Sequence, residues 1–161
     1  MTDSSSPAGP QSFADRQAIV DVTHRYCWSL DSRDLAGLDA VFLPDATAEL
    51  LSPVLVGREA IRARIASAIV PLDATQHTVT NHMITVDGDR ATCRCYLHSQ
   101  HVREIGEGPS TYVVAGRYED ELVRTAQGWR IVFRRLVVVW SEGNLEVVRP
   151  PRTPHQHSPK D

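Results

Sequence analysis

The chain has only three cysteines, Cys27, Cys93 and Cys95, in 161 residues. An odd number without framework spacing excludes a disulfide scaffold, and a zinc site would need more ligands nearby. Cys93 and Cys95, two apart, would share one strand face and read as buried reduced thiols. Long apolar runs are also missing. The longest, Leu136 to Trp140, is far too short to span a bilayer. The opening MTDSSSPAGPQS has neither a basic segment nor an apolar core, so no secretory signal is expected and cytoplasmic residence is the default. Positive charge is not in excess, since the net charge is −3. Arg130, Arg134 and Arg135 cluster, but they read as the solvated face of a strand, and neither a nucleic-acid nor a membrane partner is expected. No P-loop, dinucleotide fingerprint, serine nucleophile elbow or internal repeat is present.

What is there suits one globular domain over residues 12–148. The apolar fraction is 42% and the charged fraction 23%, ordinary for a chain that buries a core. Residues 1–11 and 149–161, rich in Ser and Pro, read as disordered tails. His155 and His157 in the second tail could pick up a metal in solution, but a solvated tail is the better reading.

Helical periodicity comes first. Ser12, with Asp15 three residues on, marks an N-cap. Ile19, Val22, Tyr26 and Leu30 then predict an amphipathic helix to about Leu30. DSRDLAGLDAVF predicts a short second helix with Leu35, Leu38 and Phe42 on one side, stopped by Pro44. DATAELL reads as a short strand. Residues Gly57 to Ile69 predict a third helix with Ile61, Ile65 and Ala68 facing inward. After Pro71 the period becomes two. Thr75–Val86 and Arg90–Arg103 flank DGD, and Thr111–Arg124 and Trp129–Trp140 flank TAQG, giving two hairpins. The sum is an α+β fold, a strongly curved antiparallel sheet closed by N-terminal helices around an apolar pocket.

Strand alternation puts His77, Val79 and Asn81 on one face and His82, Ile84 and Val86 on the other. On the next strand Cys95, Leu97, Ser99 and His101 share a face, opposite Tyr96, His98 and Gln100. No close metal-ligand spacing results, so no metal site is expected. Asp31, in YCWSLDSRD, either caps the turn at the end of the first helix or reaches into the pocket. A strand histidine is either a hydrogen-bonded structural residue or a base. Tyr26 lies on the stripe of Ile19, where core packing is the plainer reading. If Asp31 and a histidine met, the carboxylate would fix the imidazole tautomer, and the free nitrogen could take a proton beside a carbonyl.

The ordered stretches AIVDVTHRYCWSLDSRDLAGLDAVFLPDA, GREAIRARI, QHTVTNHMITVDGDRATCRCYL and GRYEDELVRTAQGWRIVFRR resemble the SnoaL-like branch of the nuclear transport factor 2-like superfamily. The resemblance runs from about Phe13 to Val148 and implies a cone-shaped α+β barrel enclosing a ligand pocket. In site pattern it is similar to a lyase group containing scytalone dehydratase, bile-acid 7α-dehydratase and hexachlorocyclohexane dehydrochlorinase. It implies that Asp31 holds His77, which acts as base and then as acid for a departing hydroxyl, without cofactor. Tyr26 and His101 would bond the substrate oxygen, with His98 replacing His101 if the strand parity is reversed. Asn81, Ser99 and Tyr112 are further polar candidates, and Phe42, Leu50, Ile65, Val79 and Trp140 the apolar wall. His82 is expected to be a partnered structural residue on the opposite face.

The departures from that pattern are specific. Val138 stands nearest to the late-strand arginine of the bile-acid enzyme, and Arg135 could replace it only with a shifted register. Leu30 stands where scytalone dehydratase has a tyrosine. The implied activity is a dehydratase on a hydrophobic hydroxy-carbonyl or polycyclic small molecule. A polyketide cyclase or ketone isomerase using the same base is the alternative, and a non-catalytic small-molecule or protein-binding module is another. The relatives imply a homo-oligomer, as a trimer in the lyases and a dimer in other branches.

Overall fold

The computed structural model describes residues 10–51 and 53–149. Helix α1 spans Pro10–Asp31, β1 Phe42–Glu49, β2 Leu55–Val56, α2 Arg58–Ile69, β3 Ala74–Asp87, β4 Arg90–Val102, β5 Thr111–Thr125 and β6 Gly128–Gly143. Two 3-10 turns, Leu35–Ala40 and Leu145–Val147, complete the described residues. Apart from Pro10, Gln11 and Arg149, the expected tails lie outside the described residues.

The six strands form one open sheet in the order β2-β1-β6-β5-β4-β3. It is mixed rather than wholly antiparallel, because β1 runs parallel to β6. Helix α1 packs along β3 and also reaches β6, so the sheet curls around it. Ile19, Val22, Tyr26 and Leu30 are the buried stripe of α1, at the spacing that lays one helix face on a sheet. Ile61, Ile65 and Ile69 do the same for α2. Ala68, expected inward, is exposed, and Ile69 takes the buried position. No helix among the described residues is long and apolar enough to cross a membrane.

Several boundaries differ from expectation. Helix α1 begins at Pro10, where proline's missing N–H costs nothing, so Ser12 is inside the helix and caps nothing. Asp15 is instead buried and accepts from Arg124 Nη1 and Nη2 (2.5 and 2.8 Å) and from Trp129 Nε1 (3.2 Å). The second helix is a 3-10 turn capped by Asp34, and Phe42 opens β1 rather than closing a helix. Pro44 sits inside β1 where its pairing with β6 is interrupted, a position that needs no donated hydrogen bond.

Three β-bulges decide which side chains face inward. On β3, Asn81 and His82 together oppose the single residue Cys95, and Asn81 takes a φ of 57°. The alternation therefore slips by one, and His82 joins His77 on the face beneath α1. On β6, Val132 and Val139 are the extra residues against β5. Between the two bulges, Arg134, Leu136 and Val138 point inward. Trp140, beyond the second bulge, points outward.

The supposed solvated arginine cluster is thus divided. Arg134 is wholly buried and makes a two-pronged bond to the equally buried Asp120, 2.7 Å on each arm. Arg135 lies outside and pairs with Glu49, and Arg130 is half-buried.

Candidate active site

The C-terminal end of α1 and the start of β3 are fastened together. Arg33, in the left-handed region at φ 58°, ends the helix, and its Nη2 donates to the carbonyls of Leu72 and Asp73 at 2.5 and 3.1 Å. That anchor sets Asp31 over the first turns of β3. Asp31 accepts three hydrogen bonds: from Thr75 Oγ1 to Oδ1 (2.8 Å), from the His77 backbone N–H to Oδ2 (2.8 Å) and from His77 Nδ1 to Oδ1 (2.6 Å). It does not cap the helix turn. Burial raises the Asp31 pKa, but the bonds from the His77 ring, its backbone and Thr75 outweigh this and hold it below the usual carboxylate value.

A carboxylate that only accepts fixes the imidazole tautomer. In the neutral ring Nδ1 of His77 carries the proton, and Nε2 keeps its lone pair. The His77 side chain is 5% exposed and lines a cavity of about 380 Å³ that opens to solvent beside the exposed Leu51 and Leu145. Nε2 has no partner among the described residues, so the pair presents a free basic nitrogen to an open space. A second hollow, of about 550 Å³, lies on the other side of the dyad, lined by Asp31 and His77 together with Cys27, Trp28, Gln76 and Gln100. It touches the edge strand, not the sheet interior.

The cavity walls come from every layer. Tyr26 and Leu30 enter from α1, Arg64, Ile65, Ala68 and Ile69 from α2, and Leu97, Ser99 and His101 from β4. Tyr112, Val114 and Tyr118 enter from β5, and Leu136 and Val138 from β6. Leu50, Leu51, Leu145 and Val148 complete the lining. Among the expected site residues, His77, Tyr26, His101, Ser99, Tyr112, Leu50, Ile65 and Val138 are thereby brought together. His101 Nδ1 faces the Tyr112 carbonyl at 3.2 Å, so its proton is there and its Nε2 is an acceptor. Burial, then the neighbouring His77, lowers the His101 pKa, favouring the neutral ring. The two imidazoles meet edge to face, 5.7 Å between centroids. Ser99 Oγ and Tyr112 Oη are taken by the Val114 carbonyl and by Ser141 Oγ, at 3.4 and 2.8 Å.

Five expected residues lie elsewhere. His98 is exposed on the outer sheet face, because β4 keeps the parity that turns Ser99 and His101 inward. Trp140 follows the second β6 bulge to the same outer face and meets His98 there, 6.1 Å between ring centroids. Asn81 is exposed at the β3 bulge. Phe42 and Val79 are buried in the core but do not reach the cavity, and Phe42 supports Tyr26 from behind at 5.9 Å. His82, expected on the face opposite His77, instead shares its face and is bonded to Thr23 Oγ1 at 2.8 Å.

The residues missed from sequence lie under the floor. The Arg134 guanidinium is held between the rings of Tyr26 and Tyr118, 4.1 and 4.2 Å from their centroids. Both phenols line the cavity. Burial pushes their pKa values up and Arg134 opposes that shift, so both remain protonated donors at neutral pH.

The sequence pattern of the SnoaL-like domain matches residues 11–135. The chain belongs to that family, within the nuclear transport factor 2-like superfamily. The Kfla4162 protein of Kribbella flavida is similar at 28% identity, with a TM-score of 0.77 over 81% of this chain and 95% of that one. A candidate scytalone dehydratase of Novosphingobium aromaticivorans shares the fold at 23% identity and TM-score 0.74, covering 86% and 91% of the two chains. The type 2 hexachlorocyclohexane dehydrochlorinase LinA does so at 18% identity and TM-score 0.73, covering 86% and 95%. This SnoaL-like domain therefore has dehydratase- and dehydrochlorinase-named proteins among its structural neighbours.

Proposed function

We propose that this SnoaL-like protein is a cofactor-independent lyase that removes water from a hydrophobic hydroxy-carbonyl compound. The observation that carries the reading is the 2.6 Å Asp31–His77 bond with the second imidazole nitrogen free on the cavity. His77 Nε2 takes the proton next to the carbonyl, and Asp31 stabilises the imidazolium that results. The carbon–carbon double bond then forms as the hydroxyl leaves with the same proton, as water, and the imidazole returns to neutrality. Tyr26 donates to the carbonyl oxygen as charge develops there. His101 Nε2, an acceptor, receives the substrate hydroxyl and aims it. The named dehydratase and dehydrochlorinase neighbours, and an open rather than filled cavity, support an enzyme over a binding module.

The test compares wild type with His77→Gln on a panel of bicyclic and polycyclic β-hydroxy ketones. Mass spectrometry should find compounds that lose one water with wild type and none with the folded variant. Equal turnover by both proteins would refute the role of His77. Conversion without change of mass, abolished in the variant, would assign isomerisation or cyclisation to the same base instead.

A further inference from the structure

Helix α2 carries three arginines, and two of them are neutralised. Arg58 Nε lies 3.1 Å from Asp39 Oδ1. Arg62 pairs with the same carboxylate and with Glu59, the latter at 3.2 Å. Arg64 differs. It lines the cavity, and its guanidinium has no ion-pair or hydrogen-bond partner among the described residues.

Among the described residues, no Asp, Glu or Lys lines that cavity. The nearest carboxylate of the dyad, Asp31, stands behind His77 with its hydrogen bonds already made. Arg134 lies under the tyrosines and is matched by Asp120. Arg64, partly exposed and without a partner among the described residues, therefore brings the one fixed positive charge to a mainly apolar cavity lining. A guanidinium in such a place favours an anion, and its two-pronged geometry suits a carboxylate. One cation balances one charge, so a monoanion fits better than a phosphate dianion.

We infer that Arg64 is a specificity residue that holds the carboxylate of an apolar, ring-bearing acid. Helix α2 packs on β1 and β2, whereas His77 stands on β3, so the two groups come from different walls. The ligand is thus bifunctional, with its acid at Arg64, its apolar body across the cavity and its reacting carbons at His77 Nε2. The chemistry at His77 rests on the lyase reading above, but the binding preference does not.

The experiment is titration calorimetry with 2-naphthoate and its neutral counterpart 2-naphthamide, on wild type, Arg64→Gln, Arg64→Lys and His77→Gln. Wild type should bind the acid roughly ten-fold or more tightly than the amide, the effect of one charge-assisted hydrogen bond. Arg64→Gln should bring the two probes to parity, Arg64→Lys should keep part of the preference, and His77→Gln should keep it whole. Equal binding of acid and amide to wild type, no binding of the acid, or a preference that survives Arg64→Gln would overturn the inference. If the preference holds while His77→Gln leaves turnover intact, the lyase reading fails and the clamp stands. If the preference is absent while wild type still dehydrates neutral hydroxy ketones, the clamp fails and the lyase stands.

Discussion

Asp31→Asn is the sharpest perturbation of the dyad, because it changes hydrogen-bonding sense with almost no change of shape. In the native site both carboxylate oxygens accept, two bonds at 2.8 Å and one at 2.6 Å. An amide keeps one acceptor, which the fixed backbone N–H of His77 will claim. Its NH2 then meets Nδ1, so the imidazole must accept there and carry its proton on Nε2. The nitrogen facing the cavity becomes a donor and ceases to be a base. Thr75 loses its acceptor, and the stability cost is about 1–2 kcal/mol at this partly exposed site. Turnover should fall by about 10²- to 10⁴-fold. The decisive assay needs no substrate: nitrogen-15 correlation spectra of the imidazole distinguish the tautomers directly. Wild type should carry the His77 proton on Nδ1, and the variant on Nε2. An Nε2–H tautomer in wild type, or no change in a folded variant, would refute the reasoning. The same carboxylate has a pH signature. Its folded pKa is depressed, so its contribution is present above the unfolded value of ~3.9 and lost as pH falls through the folded one. Asp31→Asn should remove that segment of the acid-unfolding curve.

Three further outcomes follow from the scaffold. Arg134→Met strands the buried Asp120 charge and should cost about 3–5 kcal/mol in urea unfolding. The double variant with Asp120→Leu should recover most of that loss. Gly116→Ala should destabilise by about 1–3 kcal/mol or more, because a Cβ there would lie 2.2 Å from the Val137 carbonyl oxygen. Thermal unfolding would show it, and an unchanged midpoint would deny the close strand approach at this bulge. Asp15 is lowered to about 2, chiefly by Arg124, so its stabilisation is present above ~3.9 and fades as pH drops toward 2. Asp15→Asn should be less stable at neutral pH but flatter across that acid window.

The elements themselves were legible because periodicity is a local signal. Ile19, Val22, Tyr26 and Leu30 mark α1 without help from the rest of the chain, and DGD and TAQG fix two hairpins. What the sequence could not carry was parity through the bulges. Counting back from the TAQG turn opposes Asp120 to Phe133, whereas the extra residue Val132 brings Arg134 there. An arginine that simple alternation turns outward is thereby wholly buried. The same slip at Asn81 moves His82 under α1, and the slip at Val139 throws Trp140 out of the site. His77 and His101 lie clear of these faults in their own strands, so alternation groups His77 with Val79 and His101 with Leu97 and Ser99, but it leaves open the choice between the His101 and His98 faces. That His77 reaches Asp31 was implied only by the family resemblance. The contact depends on Arg33 anchoring the helix end, which no spacing rule contains.

The distribution of charge accounts for a site that is both apolar and reactive. A fully buried bare ion would cost several kcal/mol, a cost that Arg64, partly exposed at the cavity edge, is spared, yet proton abstraction must create an ion at the buried His77. The fold places the compensating charge in advance and outside the reaction space. Asp31 is ionised, held by three donors and screened from the cavity by the imidazole it orients. Arg134 is matched by Asp120 through Nε and Nη2, its Nη1 is buried without a hydrogen-bond partner among the described residues, and it meets the chamber through the two phenols stacked on it. His77 is therefore the ring on which new positive charge can form beside a negative one already fixed. His101, with Nδ1 on a carbonyl and His77 as its neighbour, is held neutral. Two histidines that look alike in a strand are thus given different work by what their Nδ1 atoms face: a carboxylate makes a base of one, and a carbonyl makes a neutral acceptor of the other.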